Sequence, residues 1–357
     1  MAVVKIEIAE FLEKSRDFPV LDVRSPGEYQ HARIPDAISF PLFTDEERKV
    51  VGTLYKQRSR EAAIKAGLDH FGPKMRPMVE TAEALTEQMF KAGRPRTVLV
   101  HCWRGGMRSG AVAWLLDLYG IKVFSLVGGY KKFRHWVLHQ FEQDWPLQII
   151  GGHTGSGKTI TIRHLQEKNE QSIDLEALAS HKGSAFGAMD MPPQPSQEMF
   201  ENMLAVELHQ KAMQLQRGQR IWLEDESQRI GTVNLPNSFW NTIRKKEVYF
   251  LEIPFHNRLQ YLVDTYGNWN KSDIAAAITR IQKKLGGLEA KNALGHLIEN
   301  DLHGCFRILL EYYDKLYRKS LLNRENAEHL VTILDVVSPA KGENADILIE
   351  QYKRTHV

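Results

Sequence analysis

Short, almost unbroken apolar runs recur along the chain, separated by longer stretches whose apolar residues return every three or four positions. Phe18–Arg24, Thr97–Val100, Val123–Val127, Leu147–Gly151 and Glu247–Ile253 are of the first kind and predict strands, with Thr97–Val100 buried. Gly110–Leu116, Lys131–Gln143 and a stretch opened by Ser196-Gln197-Glu198 and running to about Arg217 are of the second kind and predict helices. Residues 3–13 read as a short strand and helix, and Ser25-Pro26-Gly27-Glu28-Tyr29 as a turn opening a helical piece, with serine as its cap and proline early. Strands that alternate with helices imply an α/β fold. Between Phe43 and Arg96 the pattern changes: Glu46–Gln57, Arg60–Gly67 and Val79–Ala92 predict three polar-faced helices with no strand between them. From residue 274 to 357 the spacing is mostly helical, with an apolar stripe at Phe306, Leu309, Leu310, Tyr313, Leu316 and Tyr317. Leu330–Leu334 is a late strand candidate and Ala345–Lys353 a final helix.

Composition narrows the class without changing that picture. A chain of 357 residues, 43% hydrophobic and 25% charged, predicts a folded protein of two or three domains. It holds no run of about 18 apolar residues, so no membrane span is expected, and Met1-Ala2-Val3-Val4-Lys5-Ile6-Glu7 lacks the regions of a signal peptide. Cys102 and Cys305 are too few for a disulfide framework and point to a reducing cytoplasm. Cys305, in an apolar helical stretch, reads as packing. The net charge of +3 permits a nucleic-acid partner without demonstrating one. Basic clusters at Arg244-Lys245-Lys246, Lys283-Lys284 and Arg318-Lys319 each read first as solvated helix faces.

Two stretches carry chemistry. In His101-Cys102-Trp103-Arg104-Gly105-Gly106-Met107-Arg108-Ser109 the cysteine stands where a strand ends and a helix begins. Two glycines let the following backbone curl so that N–H groups point inward, and two arginines lie within six residues of the sulfur. Helix N-terminus, amides and arginines all favour an anion, so Cys102 is expected to ionise readily and act as a nucleophile. The second stretch is Gly152-His153-Thr154-Gly155-Ser156-Gly157-Lys158-Thr159, directly after an apolar strand. It fits the phosphate-loop pattern, in which backbone amides surround phosphate oxygens, the lysine adds a point charge and the threonine can ligate Mg2+. An acid at the end of another strand usually completes the metal site. Glu224 and Asp225 are the candidates, each equally readable as a helix cap or salt-bridge partner. Asn270-Lys271-Ser272-Asp273 matches a guanine-reading pattern but lacks the preceding strand, so Ser272 reads as a helix cap.

The first of these stretches, with Asp22-Val23-Arg24, Glu28-Tyr29, Ile34-Pro35-Asp36-Ala37 and Val123–Tyr130, resembles the rhodanese family over residues 1 to about 140. That resemblance implies a small parallel sheet with Cys102 at a strand's C-terminal end, carrying sulfur or selenium as an adduct. Asp22 and Arg24 read as a structural ion pair. The insertion between 43 and 96 is long for that family; it either narrows substrate access or is packing material.

The order of the two loops, together with Glu224-Asp225-Glu226-Ser227-Gln228-Arg229-Ile230-Gly231, resembles the tRNA 2-selenouridine synthase family over nearly the whole chain. The implied fold class is α/β: a rhodanese-like domain at 1–143 with its insertion at about 43–96, then a P-loop NTPase-like α/β domain at 146–255. A mostly helical region at 256–357 is packed on the second domain or part of it. The implied activity is replacement of the sulfur of wobble 2-thiouridine by selenium in tRNAs for Lys, Glu and Gln. Selenophosphate is the selenium donor, and an S-geranyl intermediate is made from geranyl diphosphate. In that reading Cys102 is the selenium-carrying nucleophile, Arg104 and Arg108 hold the chalcogen anion, and Trp103, Gly105, Gly106, Met107 and Ser109 complete the loop. Gly152 to Thr159 grip the diphosphate, and Thr159 with Glu224 or Asp225 holds Mg2+ where a metal is used. No tightly bound cofactor is implied, nor any membrane partner; a cytoplasmic location is the expectation, and the oligomeric state, monomer or otherwise, stays open. Two rivals stay open: an NTP-dependent tRNA sulfurtransferase or kinase, and a persulfide carrier with a nucleotide switch.

Overall fold

A computed structural model describes residues 3–267, 269–339 and 341–356, which form two compact units, 1–139 and 140–357. The fold is α/β in both.

The first unit runs β1 (Val4–Ile6), α1 (Ile8–Lys14), β2 (Val20–Asp22), α2 (Pro26–His31), β3 (Ile38–Ser39), α3 (Asp45–Gln57), α4 (Arg60–Phe71), α5 (Met75–Lys91), β4 (Thr97–His101), α6 (Met107–Leu118), β5 (Lys122–Leu126) and α7 (Gly129–Gln140). Its five strands form one parallel sheet in the order β1-β5-β4-β2-β3. All five residues of β4 are buried, as a central parallel strand covered on both faces requires. The stretch between 43 and 96 supplies α3, α4 and α5, and its helix starts are written locally. Thr44 and Glu47 form a capping box, and the Ser59 hydroxyl accepts from the Ala62 amide.

Asp22 and Arg24 are buried against each other, with Arg24 Nη2 2.6 Å from Asp22 Oδ2. The guanidinium also donates to the Ala32 carbonyl and lies 3.8 Å from the centroid of the Tyr130 ring. With one carboxylate compensating one enclosed cation, Asp22→Ala should cost about 3–5 kcal/mol. The urea midpoint measures this; a loss below about 1 kcal/mol would show that water reaches Arg24.

The second unit runs β6 (Leu147–Gly152), α8 (Lys158–Glu167), β7 (Ser172–Ile173), α9 (Leu175–Ala179), α10 (Gln197–Gln214), β8 (Ile221–Glu224), β9 (Arg229–Ile230), β10 (Val233–Asn234), α11 (Asn237–Ile243), β11 (Val248–Glu252), α12 (Phe255–Tyr266), α13 (Lys271–Leu285), α14 (Gly287–Ile298), α15 (Leu302–Leu322), α16 (Ala327–Leu330), β12 (Val331–Asp335) and α17 (Glu343–His356). The main sheet is again parallel, in the order β12-β11-β6-β8-β7, and β9 and β10 form a separate antiparallel pair. Helices α12 to α15 close over a second apolar cluster that includes Cys305, whose thiol burial pushes up to about 11. The C-terminal stretch contributes more than helices: β12 pairs in parallel with β11 from Val248↔Val331 to Glu252↔Asp335.

One local expectation is corrected. The residue capping α13 is Asn270, whose side-chain oxygen accepts from both the Ser272 amide and the Ser272 hydroxyl. Asparagine is as good a cap as serine, and the helix starts at Lys271, two residues before the start that a Ser272 cap would give. No helix among the described residues is long and apolar enough to cross a membrane.

Candidate functional site

Cys102 follows the last residue of β4, and α6 begins at Met107, so the loop between them caps the C-terminal end of a central strand. Its backbone is fixed from below by the start of α7. The Tyr130 amide donates to the Cys102 carbonyl at 2.8 Å and the Lys131 amide to the Trp103 carbonyl at 2.9 Å. Two glycines make this approach achievable: Gly129 has φ +58°, and a Cβ there would stand 2.3 Å from the Cys102 carbonyl oxygen. Gly105, at φ +63°, would collide with the Leu126 carbonyl at 2.5 Å.

The sulfur is buried and lies 3.3 Å from the Ser109 hydroxyl. Burial opposes ionisation, but hydrogen bonds from the Ser109 side chain and from the Ser109 and Arg104 amides, with the charge of Arg108, outweigh it. The thiol is held below its ordinary value.

The two arginines differ. Arg104 is exposed. Arg108 is locked by Glu28, with Nη1 2.7 Å from Oε2, so it enters the site as a placed charge rather than a mobile one. Burial would raise the Glu28 carboxyl, yet Arg108, the Ser25 amide and Arg48 bring it down to about 2. Trp103 packs on Tyr130 with ring centroids 5.6 Å apart, and Tyr130 in turn carries Arg24. A cavity of about 970 Å3 opens beside the loop, with Cys102, Trp103 and Met107 on one wall and residues of α3 and α4 on the other. The inserted helices therefore shape access to the sulfur.

In the second unit, β6 delivers the chain into the phosphate loop, and α8 begins at Lys158. Gly155 and Gly157 have φ +77° and +72°, and a Cβ on Gly157 would meet the Pro339 carbonyl at 1.9 Å. Lys158 Nζ donates to the Gly152 carbonyl at 3.0 Å and lies 5.6 Å from the centroid of the Tyr317 ring. The loop is held from outside by α12 and α15. Arg258 donates to the Thr154 carbonyl at 3.1 Å and pairs with Asp314, while the Tyr317 hydroxyl accepts from the Gly152 amide. Ser156 is buried with its hydroxyl unpartnered, and His153 packs edge-on to Phe250 and Tyr317.

The structure separates the acidic candidates for the metal. Asp225 is committed elsewhere: it pairs with Arg324 and accepts from the Tyr317 hydroxyl at 2.8 Å. Glu224 remains, and two residues given no metal role from sequence join it. Oxygens of Glu176, Glu224 and Glu226 lie within 4.8 Å of one another, and Thr159 Oγ1 donates to Glu176 Oε2 at 2.9 Å. Glu224 is fully buried, with Oε1 bonded to the Glu176 amide and Oε2 without a partner. Burial, then repulsion from Glu176, Asp174 and its neighbour Glu226, raises Glu224 well above the usual carboxylate range. Burial and Glu176 push Glu226 up to about 8 against the pull of Lys158. Hard oxygen ligands, an orphaned buried oxygen and mutual repulsion suit a divalent cation such as Mg2+.

Because these carboxyls bind protons more tightly folded than unfolded, their contribution to stability is full below about 4.5 and is lost as the pH rises through about 8. A bound cation removes the penalty. Millimolar Mg2+ should therefore leave Tm almost unchanged near pH 5 and raise it by several degrees near pH 8. Glu226→Gln should abolish most of that difference; an equal shift at both pH values would contradict the site.

A family model described as the tRNA 2-selenouridine synthase AAA domain matches residues 145–333, and the rhodanese-like domain model matches residues 7–135. Three similar curated relatives all carry the name tRNA 2-selenouridine synthase. The one from Sulfurovum sp. (strain NBC37-1) is 34% identical over 91% of this chain and 99% of its own length. That from Nitrosomonas europaea is 39% identical over 70% of this chain and 64% of its own, and that from Hydrogenovibrio crunogenus 34% identical over 85% and 89%.

Proposed function

This chain belongs to the tRNA 2-selenouridine synthases, transferases that modify tRNA with selenium, and we propose that it works in two steps through its two loops. The substrate is wobble 2-thiouridine in the tRNAs for Lys, Glu and Gln. In the first step the thiocarbonyl sulfur attacks C1 of geranyl diphosphate. The S–C1 bond forms, the C1–O bond breaks, and diphosphate leaves with the electron pair while N3 of the base gives up its proton. The amides of Gly152 to Thr159 and the ammonium of Lys158 face the charge that develops on the diphosphate. A Mg2+ held by Glu176, Glu224 and Glu226, with Thr159 beside them, would supply further charge neutralisation there.

Alkylation turns a poor leaving group into a thiolate and makes C2 electrophilic. In the second step water splits the P–Se bond of selenophosphate, phosphate leaves, and the hydrogenselenide released attacks Sγ of a Cys102 mixed disulfide, forming Sγ–Se and expelling the thiol co-reactant. The Sγ–Se anion then attacks C2. The C2–Se bond forms, the C2–S bond breaks and geranylthiolate departs. A thiol co-reactant then attacks Sγ and splits Sγ–Se, leaving selenium on the base and restoring the Cys102 mixed disulfide for the next turnover. Ser109, the Arg104 and Ser109 amides and Arg108 favour the anion on Cys102, and Arg104 stands exposed on the cavity wall to meet a second one.

The observation that carries this reading is a thiol held below its ordinary value at a strand end, in the same chain as a phosphate loop whose Thr159 is bonded to a buried carboxylate cluster. Incubating 2-thiouridine tRNA with the protein and geranyl diphosphate alone tests it by mass spectrometry of the nucleosides. The expected product is S-geranyl-2-thiouridine. Geranyl transfer that is absent, while ATP or GTP supports selenation, would favour an NTP-dependent enzyme instead.

A further inference from the structure

The cavity beside Cys102 has an unusual lining. Phe43, Val51, Ile64, Leu68, Phe71 and Met107 give it apolar walls. Leu68 is 56% exposed and Ile64 40%, on a helix whose polar positions could have faced solvent instead. Every ionisable side chain on the lining except the Cys102 thiol and the Tyr55 phenol is a cation: Arg48, Lys49, Lys56, Arg60, Arg104 and Arg108. No carboxylate lines it. At about 970 Å3 it lies at the upper end of the roughly 300–1,000 Å3 usual for sites of drug-sized ligands. A site for a small chalcogen anion alone needs neither this volume nor the apolar walls. A site for an unalkylated nucleotide would use the cations but not the leucine and isoleucine.

We propose that this cavity binds the S-prenylated nucleotide itself, with the prenyl chain against α3 and α4, the phosphates on the cationic wall, and C2 of the base presented to Cys102. The proposal rests on the two-step reading above, and it gives the helical insertion a role: it recognises the alkylated intermediate and rejects the 2-thiouridine from which that was made. Selectivity then comes from apolar burial of the tail, which the unalkylated base cannot supply.

Equilibrium dialysis of the full-length protein against S-geranyl-2-thiouridine 5′-monophosphate and 2-thiouridine 5′-monophosphate tests it directly. The prenylated nucleotide is expected to bind at least about 100-fold more tightly, since even partial burial of a ten-carbon chain is worth that much. Leu68→Glu and Ile64→Glu should each weaken its binding at least about tenfold and raise KM for selenation of pre-geranylated tRNA with little change in kcat. Leu68→Met should behave as the parent. Leu118→Glu, on α6, 70% exposed and off the cavity lining, should change neither reading. Equal affinity for the two nucleotides, or indifference to both glutamate substitutions, would overturn the proposal. The two-step reading fails differently: the parent protein would then make no S-geranyl tRNA from geranyl diphosphate, a result that dialysis with a synthetic nucleotide does not depend on.

Discussion

Replacing Cys102 by serine should abolish selenation while geranyl transfer continues, so that S-geranyl tRNA accumulates. The exchange is nearly isosteric, and the hydroxyl can keep the contact with Ser109, so the loop between β4 and α6 should retain its shape. What is lost is the anion. The Ser109 hydroxyl, the Arg104 and Ser109 amides and Arg108 bring a thiol below its ordinary value, but a serine hydroxyl lies far too high to be ionised by the same donors. A drop of at least about 10³ in selenation is expected, as for loss of a covalent nucleophile. Geranylation within about twofold of the parent would confirm that the thiol has no part in the first step. Selenation retained in this variant would remove Cys102 from the mechanism.

Lys158→Ala should act on the other half. The ammonium rests on the Gly152 carbonyl at the mouth of the phosphate loop, 5.6 Å from the Tyr317 ring centroid. The transition state of allylic transfer places new charge on the departing diphosphate. Removing one preorganised donor to such a charge usually costs about 10²–10³ in rate. Geranylation should fall by that factor, whereas selenation of tRNA geranylated beforehand should stay near the parent rate. Affinity for geranyl diphosphate should fall with it, and ATP and GTP should compete poorly with geranyl diphosphate on the parent. Normal geranyl transfer in the variant would count against diphosphate binding by this loop, and tight ATP binding would favour the nucleotide-dependent alternative.

The parts legible in the sequence were those written in contiguous residues. Apolar runs such as Thr97–Val100 announce central strands, and glycines next to Cys102 and Lys158 announce loops whose backbone must approach something closely. The ion pair of Asp22 and Arg24 lies two residues apart and could be read directly. What escaped was long-range. Arg108 meets Glu28 across 80 positions, and no spacing announces that its charge is placed rather than mobile. Asp225 and Glu224 are neighbours on a strand end, where adjacent side chains point to opposite sides, so only their surroundings decide that one meets Arg324 and the other Glu176. Glu176 carries a weak signal, since Ile173-Asp174-Leu175-Glu176 is an apolar strand end followed by acids, as Ile221–Glu224 is. Serine at 272 and asparagine at 270 both suit a helix start, and only the hydrogen bonds to Asn270 Oδ1 separate them. The strand at Val331–Asp335 was visible as a β-branched run, but its place beside β11 follows from the sheet.

The mechanism turns on one sequence of events: alkylation of sulfur first, replacement by selenium second, on one chain. Following selenation of purified tRNA already carrying S-geranyl-2-thiouridine, in the absence of geranyl diphosphate, tests that order most directly. Selenophosphate and thiol are supplied, and nucleoside and organic products are quantified together by mass spectrometry. The expected result is 2-selenouridine and geranylthiol formed one for one, while tRNA carrying plain 2-thiouridine remains unchanged under the same conditions. Selenation of the plain 2-thiouridine tRNA at a comparable rate, with no geranyl donor present, would contradict it.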